Sequence, residues 1–289
     1  MSDFLDTIIC ADVFDGLRSI PKDTVHLIVT SPPFNLGIEY DNADDSKAHK
    51  DYLKWTQKVW KECKRVLVHG GRICINIDAT YNHNQDDEYP ERVHPLHVDF
   101  TNQLRELGYI YRCEISWYKQ NAPGRFTTWG SYLSCSNPHV RRVHEYIVVA
   151  SKGNLRLEGD PNKCCLGKEE FHEYTLSEWQ FTPETGSSHP APFPFELPKR
   201  CIRLFSYVGN TVLDPFCGSG TTCYAAKELG RRYIGIDNSE DYCELSKARL
   251  SSLNQDITGY QYIPAPETLK KTPSKRQLKK QREANNNVI

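Results

Sequence analysis

Seven short apolar runs punctuate the chain, at residues 7–11, 25–29, 72–77, 110–117, 146–150, 212–215 and 233–236. Most are unbroken rather than alternating, and rich in Ile and Val. A strand wet on one face alternates polar and apolar residues, whereas one buried on both faces does not. These runs therefore demand a largely parallel sheet with cover on both sides. Helical segments lie between them. Residues 52–68 set Trp55, Val59, Cys63 and Val66 on one helix face, and His69-Gly70-Gly71 is expected to end that helix before the next strand. Further helices are expected at 195–207, 221–229 and 240–250. Strands alternating with helices make an α/β doubly wound fold the expectation. With 289 residues, 38% of them hydrophobic, there is material for one sizeable core.

Three regions break the alternation. Residues 121–142 are rich in Gly, Ser, Pro, Arg and aromatics. Residues 153–188 are polar and irregular, with Trp179 and Phe181 near their end. Residues 79–94 read as a surface loop. The first two are long for simple connections, which marks them for function. Residues 1–262 are expected to form a single domain, and 263–289 a basic, disordered tail carrying Lys270, Lys271, Lys275, Arg276, Lys279, Lys280 and Arg282. Net charge is −1, so composition alone does not announce a nucleic-acid binder. No apolar run is long enough to span a bilayer, and a soluble cytoplasmic protein is expected. The eleven cysteines form no Cys-x-x-Cys pair, and several sit inside apolar runs, as reduced buried thiols do.

The C-terminal half carries Asp214-Pro215-Phe216-Cys217-Gly218-Ser219-Gly220-Thr221-Thr222 between a strand and a helix. Glycines at such a turn let backbone approach a ligand, and the helix start offers free N–H groups. Seventeen residues beyond Gly220, Asp237 ends the next strand, where an acid can accept both hydroxyls of a ribose. A dinucleotide fingerprint would need a third glycine near Cys223, and a phosphate loop a lysine after Gly220. Both are missing, which favours a nucleoside ligand without pyrophosphate.

The second constellation is Thr30-Ser31-Pro32-Pro33-Phe34-Asn35, directly after the run 25–29. Two prolines cannot continue a central ladder, because they lack N–H donors. They fix extended backbone at the carboxyl end of a strand, where open α/β sheets bind ligands. The Ser31 hydroxyl and the Pro32 carbonyl become acceptors for an amino group, and Phe34 offers a face for stacking.

Together the two segments resemble the amino-methyltransferase branch of the DNA methyltransferases. In that family a Ser/Asp/Asn-Pro-Pro-Tyr/Phe motif is catalytic and Phe-x-Gly-x-Gly binds S-adenosylmethionine. Here the catalytic motif precedes the cofactor motif, the order of the family's β group, and the resemblance runs from about Thr7 to Leu250. It implies a seven-stranded, mostly parallel, Rossmann-like methyltransferase sheet with a small recognition insertion. Ser31, Pro32, Pro33 and Phe34 would be catalytic. Asp12, Phe193, Pro194, Asp214, Phe216, Gly218, Gly220, Thr221, Asp237 and Asn238 would line the cofactor, with Asp12 near the adenine and His189–Phe193 with Pro194 near the methionine part. Asp12 reads equally as a helix N-cap. Trp129-Gly130-Ser131 and His144-Glu145-Tyr146 also look like this group.

The reaction implied is direct transfer of a methyl group from S-adenosylmethionine to an exocyclic amino nitrogen, with no metal and no covalent enzyme intermediate. Enzymes that methylate carbon 5 of cytosine carry a Pro-Cys nucleophile, and this sequence has no Pro-Cys dipeptide. Cys217 is expected to lie against the cofactor. In the family, Ser-Pro-Pro tends to accompany N4-cytosine methylation and Asp-Pro-Pro-Tyr tends to accompany N6-adenine, so Ser31 and Phe34 lean toward cytosine, with adenine as the alternative. Methyl transfer to RNA, protein or a small molecule, or a fold that has lost catalysis, are the other readings. The partner expected is double-stranded DNA. Residues 153–188 occupy the place of the family's target-recognition segment, with the 119–142 loop beside them and Arg125, Arg141 and Arg142 as candidate phosphate or base contacts. Relatives are often homodimers, and often accompany a restriction endonuclease acting on the same site without binding the methyltransferase.

Overall fold

A computed structural model of the chain describes residues 4–35, 47–78, 80–81, 93–119, 135–136, 140, 142–183 and 194–253. In chain order the elements are β1 (Thr7–Cys10), α1 (Val13–Ser19), β2 (Val25–Thr30), α2 (His49–Val66), β3 (Leu67–Ile77), β4 (Thr80–Tyr81), β5 (Val93–His94), α3 (Leu96–Glu106), β6 (Tyr109–Lys119), β7 (His144–Lys152), α4 (Lys168–Tyr174), β8 (Glu178–Phe181), α5 (Glu196–Phe205), β9 (Thr211–Asp214), α6 (Thr221–Glu228), β10 (Arg232–Asp237) and α7 (Glu240–Ser251).

The main sheet has eight strands in the order β1-β10-β9-β2-β3-β7-β6-β8. It is mixed. β7 runs antiparallel to both β3 and β6, and the remaining neighbours are parallel. The expected count of seven is thus corrected by β8, a four-residue edge strand inside the region read as irregular. Only Trp179 and Phe181 point inward there, with Glu178 and Gln180 exposed, so the alternation is too short to stand out. β4 and β5 pair as a separate two-stranded ribbon at the ends of the stretch read as a loop.

Two cores flank the sheet, as continuous apolar strands require. On one face Ile28, Ile75, Leu213 and Ile234 pack against Leu17 of α1, Trp60 and Cys63 of α2 and Phe100 of α3. On the other Leu27, Val29, Cys74 and Val212 pack against Leu197 and Ile202 of α5, Ala226 of α6 and Leu250 of α7. Helix α2 ends at Val66, not in the glycine pair, and the chain enters β3 at once. Gly70 has another reason to be glycine. Its φ is +76° and a Cβ there would sit 2.1 Å from the Arg156 carbonyl oxygen, so the 156 backbone closes over it.

The α4–β8 segment is clamped to α5 through Arg200, which is buried. Its guanidinium donates to Glu196 (2.9 Å) and Glu173 (2.6 Å) and lies 4.7 Å from the Tyr174 ring centre, with Trp179 and Phe181 beyond. A buried cation is tolerated because both carboxylates and the aromatic faces replace its water.

Candidate active site at the carboxyl edge of the sheet

Strands β1, β10, β9, β2, β3, β6 and β8 all end at one edge of the sheet, and β7 starts there. Every candidate residue within the described part lies at or beyond that edge. Phe193, Arg125, Arg141 and Trp129-Gly130-Ser131 fall outside the described residues.

The two sequence motifs meet directly. Thr30, the last residue of β2, donates its hydroxyl to Asp214 Oδ1 at 2.7 Å, across 184 residues of chain. The Phe216 amide donates to the same oxygen (3.1 Å), which folds the backbone back toward β9 and starts the glycine turn. Asp214 is buried, and its Oδ2 has no hydrogen bond. The Thr222 hydroxyl beside it is turned instead to the Val29 carbonyl (3.3 Å). Burial pushes the Asp214 carboxyl up to about 6, against the pull of the Thr30 hydroxyl and the Phe216 amide that it accepts.

The glycine turn has the conformation that its glycines permit. Gly218 has φ +47° and Gly220, at the N-cap of α6, φ +79°. A Cβ on Gly220 would stand 2.8 Å from Ser246 Oγ, so α7 presses on the loop from behind. Ser246 donates to the Gly218 carbonyl (2.6 Å) and Arg249 to the Ser219 carbonyl (2.7 Å), while the turn's Cys217 and Gly220 amides donate to the Ile236 carbonyl (2.9 Å) and the Cys217 carbonyl (2.7 Å). Asp237 closes it. Its Oδ2 accepts the Gly218 amide (2.8 Å) and its Oδ1 the Ser239 amide (3.0 Å). Each carboxylate oxygen keeps a second acceptor position, so two hydroxyls can still be taken. Asn238 beside it is exposed. Thr221 begins α6.

Cys217 is placed differently from expectation. Its sulfur is buried, and a Cβ built on Gly235 would lie 2.9 Å from both Cys217 Sγ and Cys223 Sγ, so it faces the strand below and not a ligand. The neighbouring thiol and burial push it well above the ordinary thiol range. No disulfide joins the cysteines among the described residues. Asp12 is exposed and caps α1, accepting the Phe14 amide at 2.8 Å. It stands at the end of β1, next to Asp237 in the register Cys10↔Asp237. Pro194 is buried just before α5, and Phe195 packs edge-on to Tyr224 of α6 at 6.0 Å, which brings this segment to the helix that follows the glycine turn.

The Ser31–Phe34 turn is held by two residues that composition did not reveal. Tyr52 of α2 donates its hydroxyl to the Pro33 carbonyl (2.6 Å). Asn35, at φ +56°, donates to the Lys47 carbonyl (2.7 Å) and accepts the Lys47 amide (2.9 Å), stapling the two ends of the 36–46 segment. Phe34 is half-buried against the core on the α1–α3 face of the sheet. Arg142 pairs with Asp78 at 3.7 Å, and the His144 ring lies 5.3 Å from Tyr118.

Residues 154–164 lie at the opposite edge of the sheet, after the end of β7. There they line, with Tyr207, a cavity of about 460 Å³ remote from both motifs. Among the described residues of the 153–188 region, the end of β8 and the two residues after it reach the edge with the motifs.

Asp214 gives a pH test. An acid whose folded value is raised above its unfolded one stabilises the fold when protonated. That contribution is lost as pH rises from about 4 through about 6. Asp214→Asn keeps acceptors for Thr30 and Phe216 and removes the charge. The ligand-free variant is therefore expected to match wild type near pH 4 and to exceed its melting temperature above pH 7, by up to about 3 kcal/mol of linkage. Parallel melting curves from pH 4 to 8 would contradict the buried carboxylate.

The DNA methylase family model for N6 and N4 enzymes matches residues 25–248. Type II methyltransferase M.MjaI of Methanocaldococcus jannaschii is 34% identical over 76% of this chain and 83% of its own length. M.HpaI of Haemophilus parainfluenzae is 27% identical over 92% of this chain and 79% of its own. Among solved structures, TTHA0409 of Thermus thermophilus, complexed with S-adenosyl-L-methionine, superposes with a TM-score of 0.68 at 31% identity, covering 88% of this chain and 95% of that one. The cytosine-N4-specific PvuII DNA methyltransferase shares the fold at TM-score 0.66 and 19% identity, over 87% of this chain and 88% of its own. With two motifs joined at one sheet edge and a family match over most of its length, the chain belongs to the N6/N4 DNA methylase family.

Proposed function

We propose that this protein is a site-specific DNA methyltransferase that uses S-adenosylmethionine to methylate the N4 amino group of cytosine in duplex DNA. The observation that carries the reading is the Thr30–Asp214 hydrogen bond, because it couples the amino-accepting turn to the cofactor loop. The binding of S-adenosyl-L-methionine by the Thermus relative supports the choice of donor.

The cofactor supplies a methyl group on a sulfonium. The protein does the rest. Asp237 takes the ribose hydroxyls, and the Gly218–Gly220 turn lets the nucleoside approach backbone. The amino nitrogen of a base has its lone pair delocalised into the ring and is a poor nucleophile. Acceptors at Ser31 Oγ and the Pro32 carbonyl draw its hydrogens and localise the pair. Pro32 is the free carbonyl of the two prolines, since Tyr52 already occupies that of Pro33. Positioning and fixed dipoles supply the catalysis. The base is unreachable inside a duplex and must be extruded onto Phe34.

Single-molecule sequencing of DNA from cells expressing this chain tests the reading. Modified cytosine in one sequence context is the expected result. Modified adenine at a fixed site would move the target to N6, and unmodified DNA from cells making folded protein would overturn the assignment. The names of the relatives favour a Type II restriction-modification setting.

A further inference from the structure

Along the carboxyl edge, on the face covered by α5 to α7, the last apolar residues of β2, β3, β7 and β6 are Val29, Cys74, Ile147 and Trp117. One period of two further on, each strand places a polar residue on the same face: Ser31, Asn76, Glu145 and Lys119. The pairing Thr30↔Ile75 brings Ser31 alongside Asn76. Three of the four are linked. Asn76 donates its amide nitrogen to Glu145 Oε2 at 2.6 Å, Lys119 pairs with Glu145 Oε1, and the Lys119 ammonium lies 5.6 Å from the Trp117 ring centre.

The network stops at Asn76. This residue is 2% exposed, and its Oδ1 is buried with no hydrogen bond. The amide cannot be turned over to cure this, because a carboxylate accepts and the nitrogen must face Glu145. With the nitrogen committed to β7, the oxygen is the other branch of the amide, and β2 is the strand on the other side of β3. On that side the Ser31 hydroxyl has no hydrogen-bond partner among the described residues. A buried acceptor left empty costs more than a hydrogen bond returns, so such an atom asks for a partner.

We propose that Asn76 is a positioning residue that takes the hydrogen of the Ser31 hydroxyl when the target base is bound. The inference rests on the role given to Ser31 above. A serine that accepts a base amino hydrogen must send its own hydrogen elsewhere, or its oxygen presents a donor to a donor. Asn76 Oδ1 receives it, and the Lys119–Glu145 pair holds the amide in the only orientation that works. The charge on Glu145 polarises the amide and strengthens Oδ1 as an acceptor, which in turn makes Ser31 Oγ a better acceptor for the base. No proton changes owner in this arrangement.

A double-mutant cycle on the single-turnover methylation rate tests it, with cofactor affinity and melting temperature measured on each protein. Ser31→Ala and Asn76→Ala are each expected to slow transfer by roughly ten-fold, about one hydrogen bond's worth. The double variant is expected to be no slower than the worse single, because both lesions remove the same contact. Losses that multiply, or an Asn76→Ala rate equal to wild type while Ser31→Ala is slow, overturn the inference and leave the role of Ser31 intact. A full rate in Ser31→Ala overturns that role and the inference with it. Should Asn76→Ala not fold, Asn76→Val replaces it, an apolar side chain of strand propensity that lacks the acceptor.

Discussion

Asp237→Ala is expected to weaken S-adenosylmethionine binding by about 10²–10³-fold, through one or two charge-assisted hydrogen bonds of about 1.5–3 kcal/mol each. The effect should be larger than a ribose contact alone supplies. Asp237 also accepts the Gly218 amide at 2.8 Å and the Ser239 amide at 3.0 Å, so it shapes the turn that the cofactor meets and the start of α7. Asp237→Asn separates the two contributions. It keeps one acceptor oxygen but sets an NH2 against one of two backbone donors, so its affinity should fall nearly as far. Calorimetry on the two variants, with circular dichroism to check folding, gives the comparison. Wild-type affinity in folded Asp237→Ala would take this residue out of the cofactor site.

The prominence of Asp237 in the sequence has a local cause. It closes a continuous apolar strand and follows the glycine turn at a regular interval, both properties of neighbouring residues. The same holds for the inner strands, where burial on two faces writes itself as unbroken Ile and Val, and for Pro32-Pro33, which can only end a central strand. What escaped the sequence depends on contacts between distant residues. β8 is a strand because Trp179 and Phe181 find Trp117 and the Arg200 guanidinium, not because Glu-Trp-Gln-Phe insists on it. Helix α1 is seven residues long with Gly16 inside it, and Gly16 is required by Ile236, whose Cγ2 would lie 2.6 Å from any Cβ there. Tyr52, Asn35 and Asn76 act through partners 12 to 69 residues away. Cys217 illustrates the reverse error. Its place in the glycine turn suggested contact with a ligand, yet its sulfur packs in the core against Gly235 and Cys223.

Placement of the α4–β8 segment also bears on DNA reading. The Arg200 clamp, with its two carboxylates and three rings, fixes that segment to α5 as part of the catalytic body. Residues 154–164 point to the edge away from the motifs. For the 153–188 region to read sequence beside an extruded base, the contacts would have to come from its last part, beyond Phe181. Among the described candidate arginines, Arg142 stands at the motif edge, paired to Asp78.

Phe34→Ala is expected to lower the single-turnover rate by about 5- to 150-fold while leaving cofactor affinity near wild type. Stacking a base on an aromatic ring is worth roughly 1–3 kcal/mol, and here the stack also aims the amino group. The cofactor contacts do not need the ring. Asp237, Gly218 and Gly220 belong to β10 and the turn before α6, and the Thr30–Asp214 bond that ties them to β2 precedes Phe34 in the chain. Part of the ring packs on the core, so some stability will go with it. That loss is read separately from melting temperature. Phe34→Tyr keeps the face, and with it the rate. The comparison is therefore three-way, with wild type, Tyr and Ala each measured for cofactor affinity, melting temperature and single-turnover rate at saturating DNA. Ala at the full rate would mean that the base is held elsewhere. Ala with cofactor affinity lost in proportion to rate would mean that Phe34 supports the cofactor site, and the stacking role would fall.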